Sequence, residues 1–347
     1  MNILVTGNLG YIGPVVVGHL RASRPDARLA GLDTGYFAHC LTGAPSLPEL
    51  ALDVQYYADV RTAPDEVLAG VDAVVHLAGI SNDPIGNRFE DVTLGINHRA
   101  TVEMARRAKA AGARSFVFAS SCSIYGAADD SARSEESELG PLTAYAKSKA
   151  LSERDLEPLA DADFTVTCLR FATACGMSDR LRLDLVLNDF VAGALTSGQI
   201  EILSDGTPWR PLIHVSDMAR AIDWAIDRSA DSGDFLAINV GSDEWNYQIR
   251  ELADAVAQEV PGTTVSVNPD APPDKRSYRV SFARLREIAP DHVPQVSLQQ
   301  AVAEIAAGLT RMGFSDANFR ESQLMRLRTI SRLSDEGRLA SDLTWVG

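Results

Sequence analysis

Tyr145 and Lys149 stand four residues apart in Tyr145-Ala146-Lys147-Ser148-Lys149, a spacing that stacks both on one face of a helix, within reach of one ligand. A phenol beside an ammonium is a proton-transfer pair. The cation favours phenolate and draws the tyrosine pKa down from about 10, so Tyr145 can take a proton from a hydroxyl while hydride leaves the same carbon. Lys149 can also donate to the ribose of a nicotinamide. YxxxK alone is common by chance; its weight comes from Ala119-Ser120-Ser121-Cys122-Ser123-Ile124-Tyr125-Gly126 upstream, which ends a strand at the edge where open α/β sheets place ligands. Ser121 is placed there to hydrogen-bond an oxygen that alternates between hydroxyl and ketone.

A second constellation opens the chain. Thr6-Gly7-Asn8-Leu9-Gly10-Tyr11-Ile12-Gly13 directly follows a strand and precedes a helix-compatible run. In that context Gly7 permits the tight turn, Gly10 lets backbone approach a pyrophosphate, and Gly13 allows close helix-to-strand packing; the helix N-terminus adds free N–H groups beside Tyr11 and Ile12. Pro14 is tolerated in a first helical turn. Asp33 ends the next strand about 20 residues later, where a carboxylate accepts the ribose hydroxyls of NAD and repels the extra phosphate of NADP. Asp59 and Val60, after the third strand, are candidates for the adenine edge. Leu77, Ala78 and Gly79 offer small residues for backbone to lie against the cofactor, whereas His76 reads as a strand histidine with its needs met.

The elements that must position these groups alternate through the first half. Strands are predicted at 2–6, 28–33, 54–59, 73–78, 115–121 and 165–171, and helices at 87–111 and 144–159, with Gly112 as a stop. Continuous apolar strands predict a parallel sheet covered on both faces. Shorter units follow: helices near 183–197, 216–228, 247–259 and 297–311, and strands at 200–203 and 237–240. The division expected is a cofactor domain over 1–175 to which later segments return, a substrate lobe over 176–312, and an appendage over 313–347. Helical periodicity around Leu324, Leu327 and Ile330 suits a packed or dimer-contacting tail.

The chain's 347 residues are ample for a large core. Its net charge of −15 argues against nucleic acid and anionic membrane as partners, though a local arginine can still hold a phosphate. Four cysteines, at 40, 122, 168 and 175, form no CxxC pair or metal-ligand spacing, so a reduced cytoplasmic protein without a metal is expected. Neither a leader-like N-terminus nor an apolar run of about 18 residues is read in the sequence.

Taken in order, TGxxGxxG, Asp33, HLAG at 76–79, Asn97, SSxSxYG at 120–126 and YxxxK resemble the extended short-chain dehydrogenase/reductases, specifically the NAD-dependent epimerase/dehydratase group. The resemblance spans most of residues 1–300. It implies a Rossmann-type doubly wound parallel α/β sheet with a smaller, discontinuous C-terminal substrate lobe, NAD as cofactor, and a nucleotide-diphosphate sugar as substrate. Ser121, Tyr145 and Lys149 then take the catalytic roles, while Asn97, Ser120 and Phe171 support the cofactor. Asn82, Ser123, Thr173, Asn188 and Arg210 fall at substrate positions, with Arg276 or Arg279 as a second clamp although the RxGD-like spelling is absent. Helices 87–111 and 144–159 resemble those that form a homodimer. Dehydratases of the group carry an Asp-Glu pair where this chain has Cys122 and Ser123, which disfavours 4,6-dehydration. The residues leave open epimerisation through a transient keto-sugar, net reduction of a keto-sugar, and a non-catalytic dinucleotide sensor. Asp33 favours NAD and with it the epimerase; retention of Ser121, Tyr145 and Lys149 together disfavours the sensor.

Overall fold

The computed structural model describes residues 1–81, 83–127, 131–268 and 277–346. Asn82 and Arg276, two of the expected substrate residues, lie outside them. The strands are β1 (Asn2–Thr6), β2 (Arg28–Asp33), β3 (Val54–Tyr57), β4 (Ala73–His76), β5 (Ser115–Ser121), β6 (Thr165–Phe171), β7 (Thr173–Cys175), β8 (Gln199–Ile202), β9 (Trp209–His214), β10 (Phe235–Val240), β11 (Asn246–Gln248) and β12 (Thr264–Val267). The helices are α1 (Gly13–Ser23), α2 (Asp83–Arg88), α3 (Glu90–Leu94), α4 (Ala100–Ala110), α5 (Ala144–Leu156), α6 (Val186–Ser197), α7 (Val215–Ile226), α8 (Ile249–Glu259), α9 (Ala283–Ile288), α10 (Leu298–Arg311) and α11 (Arg326–Asp335).

Seven parallel strands form the main sheet in the order β10-β6-β5-β4-β1-β2-β3. The order reverses between β1 and β4, and the crevice beyond their carboxyl ends is where a sheet of this type receives a ligand. Successive strand residues serve opposite faces: Ile3 and Val5 join one buried cluster with Val16 and Leu20 of α1 and Ile222 of α7. Leu4 joins another with Met104 and Ala108 of α4 and Ile330 and Leu333 of α11. Two-sided burial explains the unbroken apolar strands. β11-β9-β7 and β12-β8 make two small further sheets, while β10 returns to the edge of the large one beside β6.

Several predicted boundaries move. β3 and β4 stop at Tyr57 and His76, so Asp59, Leu77 and Ala78 belong to the loops at the sheet's crest. The single helix predicted over 87–111 is instead α2, α3, a π turn over Gly95–Arg99 and α4. Phe89 leaves helical geometry (φ −128, ψ 55) between α2 and α3, and the π turn accommodates an inward-facing Asn97.

Candidate active site

A cleft of about 1390 Å³ runs over the crest of the main sheet. Single small-molecule pockets are commonly about 300–1,000 Å³, so there is room for an extended ligand and a second one beside it. Gly7, Gly10, Tyr11, Ile12, Gly13, Asp33, Asp59, Val60, Leu77, Ala78 and Gly79 line one part of the cleft. Ser120, Ser121, Ser123, Tyr145, Lys149, Phe171, Thr173 and Arg210 line another.

The turn after β1 is a tight cradle. Gly7 has φ +75, and a Cβ there would sit 2.6 Å from the Ala78 nitrogen; a Cβ on Gly13 would sit 2.2 Å from the Asn8 carbonyl oxygen. Such contacts against backbone exclude any side chain. No side chain caps α1, so its first N–H groups face the turn. Asp33 accepts from Leu9 N (3.0 Å) with one carboxylate oxygen and from Gly35 N (2.7 Å) with the other. Burial raises its pKa despite those two donors, and each oxygen retains acceptor capacity toward the cleft. These features fit a dinucleotide: glycine turn for the diphosphate, carboxylate for the ribose.

On the opposite wall α5 begins at the Thr143 cap, whose hydroxyl accepts from Ala146 N at 3.1 Å. Tyr145 and Lys149 lie one turn apart on this helix and both face the cleft. Ser121 lies beside the phenol, close enough to oppose the rise of its pKa. Although the ring keeps a partly open edge, its hydroxyl is deep among protein atoms, and this desolvation pushes the pKa up to about 12, against the opposing pull of Ser121. The expected lowering by an adjacent ammonium is therefore not the dominant effect. Lys149 turns its Nζ to the Ala119 carbonyl (2.6 Å) and lies 4.4 Å over the Phe118 ring and 5.7 Å from the Tyr145 ring centroid. Burial brings its own pKa down to about 8.

Other expected residues sit behind the wall. Asn97 is fully buried; its Oδ1 accepts from Ile80 N (2.7 Å), and its Nδ2 donates to Ile80 O (2.8 Å) and Ser148 Oγ (3.1 Å). It ties the loop after β4 to α5. Asn188 is also fully buried, accepting from Gly176 N (3.1 Å) and donating to the Tyr11 hydroxyl (3.1 Å) and Arg182 O (2.9 Å). The fold thus uses it to hold Tyr11, outside the cleft lining. Arg279 packs its guanidinium 5.2 Å over the Trp209 ring, likewise outside that lining. Asp59 is engaged by Arg61 (2.6 Å). His76 is spanned by Thr6 (2.9 Å) and Thr101 (3.0 Å), and burial lowers its pKa to about 3. Cys122 is sealed off, its thiol donating to Arg170 O at 3.0 Å and its pKa raised well above normal by burial.

Two sets of cleft residues carry no motif. Arg182 is held by Asp184 (2.9 Å) and donates to Ser81 Oγ (2.8 Å), close enough to Tyr145 to oppose the rise of its pKa. The C-terminal tail contributes Arg320, Met325, Arg326, Leu327, Arg328 and Ile330 to the cleft wall. Its helical period is legible in the sequence, but nothing in that period says where the helix docks.

Known proteins are similar to this chain in sequence and fold. The UDP-glucose 4-epimerase of Bacillus subtilis (strain 168) is 28% identical over 282 residues, covering 74% of this chain and 81% of its own. The dTDP-glucose 4,6-dehydratase of Streptomyces niveus is 29% identical over 271 residues, covering 72% and 76%. Among solved structures, MoeE5 in complex with UDP-glucose and NAD superposes with a TM-score of 0.75 at 25% identity, over 90% of this chain and 99% of that one. The model of the NAD dependent epimerase/dehydratase family matches residues 3–241; with the glycine cradle, Asp33 and the Tyr145 wall all inside that span, the chain belongs to the NAD-dependent epimerase/dehydratase family.

Proposed function

We propose that this enzyme is a nucleotide-sugar epimerase that works through a transient keto-sugar. The observation that carries the reading is the convergence of Ser121, Tyr145 and Lys149 on one wall of the cleft that the glycine cradle also lines. Bound NAD supplies a hydride acceptor that can return the hydride. Tyr145 must first lose its own proton to solvent, which the Lys149 cation and the positive charge of a bound nicotinamide would favour against burial; as phenolate it takes the sugar hydroxyl proton and later gives it back, and Ser121 holds the oxygen as it becomes a carbonyl. Gly7, Gly10, Tyr11, Ile12, Gly13 and Asp33 would hold the dinucleotide, while Thr173, Ser123 and Arg210 would face the sugar nucleotide, the Arg210 fork suiting a diphosphate.

The sealed Cys122 thiol supports epimerisation over dehydration, because elimination of water needs a further acid and base beside Ser121. Tyr145→Phe is expected to lower turnover by about 10³-fold or more with NAD affinity nearly unchanged, checked by sugar-nucleotide interconversion assays and calorimetry. Full activity in that variant removes Tyr145 from the mechanism. A thermal-shift screen of UDP-, GDP-, CDP- and dTDP-sugars identifies the nucleotide, since the preferred ligand stabilises the fold through linkage.

A further inference from the structure

After α10 the chain runs back across the cleft. Arg320 pairs with Asp189 of α6 (2.7 Å), Arg332 meets His39 (2.9 Å), the Asp342 carbonyl accepts from Arg61 (2.8 Å), and Trp345 Nε1 donates to Thr34 O (2.6 Å). The tail therefore spans from α6 to the loops beyond Asp33 and Asp59.

Arg326, the first residue of α11, lies in this strap. It lines the cleft yet is only 3% exposed. Its Nη2 donates to Arg180 O (2.8 Å) and its guanidinium lies 4.5 Å over the Phe37 ring. Its Nη1 has no hydrogen-bond partner. The two neighbouring guanidiniums are both neutralised, Arg180 by Glu49 (2.6 Å) and Arg182 by Asp184 (2.9 Å). Among the described residues no carboxylate forms such a pair with Arg326. Burial lowers its pKa to about 10, which still leaves it cationic at neutral pH. A buried cation without a counter-charge is costly, and a buried donor without a partner calls for a specific explanation.

We propose that Arg326 is a cofactor-binding residue contributed by the C-terminal tail: its guanidinium takes a phosphate oxygen of the dinucleotide and so closes the cofactor side of the cleft. The inference rests on the assignment of the glycine cradle and Asp33 to the dinucleotide. Phe37, under the guanidinium, is four residues beyond Asp33 and lines the same cleft, which puts Arg326 on the side assigned to the cofactor, where the phosphates are the groups a cation would neutralise. Arginine suits the task because its planar fork matches phosphate oxygens. A strap of this kind slows release of the dinucleotide, as an enzyme that reuses one cofactor molecule within each turnover requires.

The test is calorimetric titration of full-length protein freed of bound nucleotide, wild type against Arg326→Met, with NAD and separately with UDP. The expected result is a loss of NAD affinity of about 10-fold or more, with UDP affinity unchanged within about twofold. The melting temperature without nucleotide should not fall, because the substitution removes an uncompensated buried charge. NAD affinity indifferent to the substitution overturns this inference alone, as does a loss confined to UDP, which would assign the arginine to the substrate. Absence of NAD binding in the wild type overturns the cofactor reading and this inference with it. Arg326→Gln, which keeps a polar side chain beside Arg180, carries the same comparison if the methionine variant does not fold.

Discussion

In the folded chain burial pushes the Tyr145 phenol up to about 12 and pulls the Lys149 ammonium down to about 8, so at neutral pH the pair stands as a protonated phenol beside a weakly held ammonium. The Lys149 shift has a sign that can be followed. Its folded pKa lies below the ordinary value of 10.5, so the folded state carries a penalty that is full below pH 8 and lifts as pH rises from about 8 toward 10.5. Lys149→Met should therefore stabilise the protein by roughly 1–3 kcal/mol at pH 7, a gain that shrinks by pH 10 in denaturation measured across that range, while turnover falls by about 10²-fold or more. Equal effects on stability at pH 7 and pH 10 would contradict the burial argument. The meeting of Ser121, Tyr145 and Lys149 on one cleft was legible in the sequence because four-residue spacing on one helix and a strand end are local properties. Arg182 and Arg326 were not, because their place in the cleft is set by contacts across more than 100 residues, with Ser81 for one and Phe37 and Arg180 for the other.

Asn97 links elements rather than touching the cleft, and its effect is visible only in the assembled fold. Its amide satisfies both backbone groups of Ile80 and reaches Ser148 on α5, so it sets the distance between the loop after β4 and the helix that bears Tyr145. Asn97→Ala is expected to cost about 2–4 kcal/mol by leaving those groups unpaired, measured by chemical denaturation, with a weakened NAD affinity as the loop loosens. An unchanged unfolding midpoint would show that the clamp is dispensable. β1, β2, β5 and β6 run over the predicted residues because their apolar runs are short, and the first three stop before Gly7, at Asp33 and at Ser121. The helix predicted over 87–111 breaks at Phe89, whose backbone leaves helical geometry, and again at the π turn that buries Asn97, a tertiary demand that apolar periodicity does not encode. The strands Thr173–Cys175, Trp209–His214 and Asn246–Gln248 escaped prediction for a related reason: the first and last are three residues long, Pro211 interrupts the middle one, and each gains its pairing from a distant partner.

At the scale of the molecule, the cleft is lined by the crest of the main sheet, α5, the segments that follow β6, and the C-terminal tail. The periodicity of the tail suits a packed or dimer-contacting appendage; it supplies Ile330 and Leu333 to the core and also lines the cleft. We extend the proposal to a homodimer joined through the 87–111 and 144–159 segments; light scattering should then give twice the mass of one chain, and a monomer at assay concentrations would set that aside without touching the chemistry. The central claim is that NAD is reduced and reoxidised in place with no net redox change. The direct measurement follows absorbance of the cofactor in purified protein while a nucleotide sugar is converted. The account predicts interconversion of two sugar epimers with NAD retained and no accumulating change in NADH; stoichiometric consumption of NADH on a keto-sugar would contradict it.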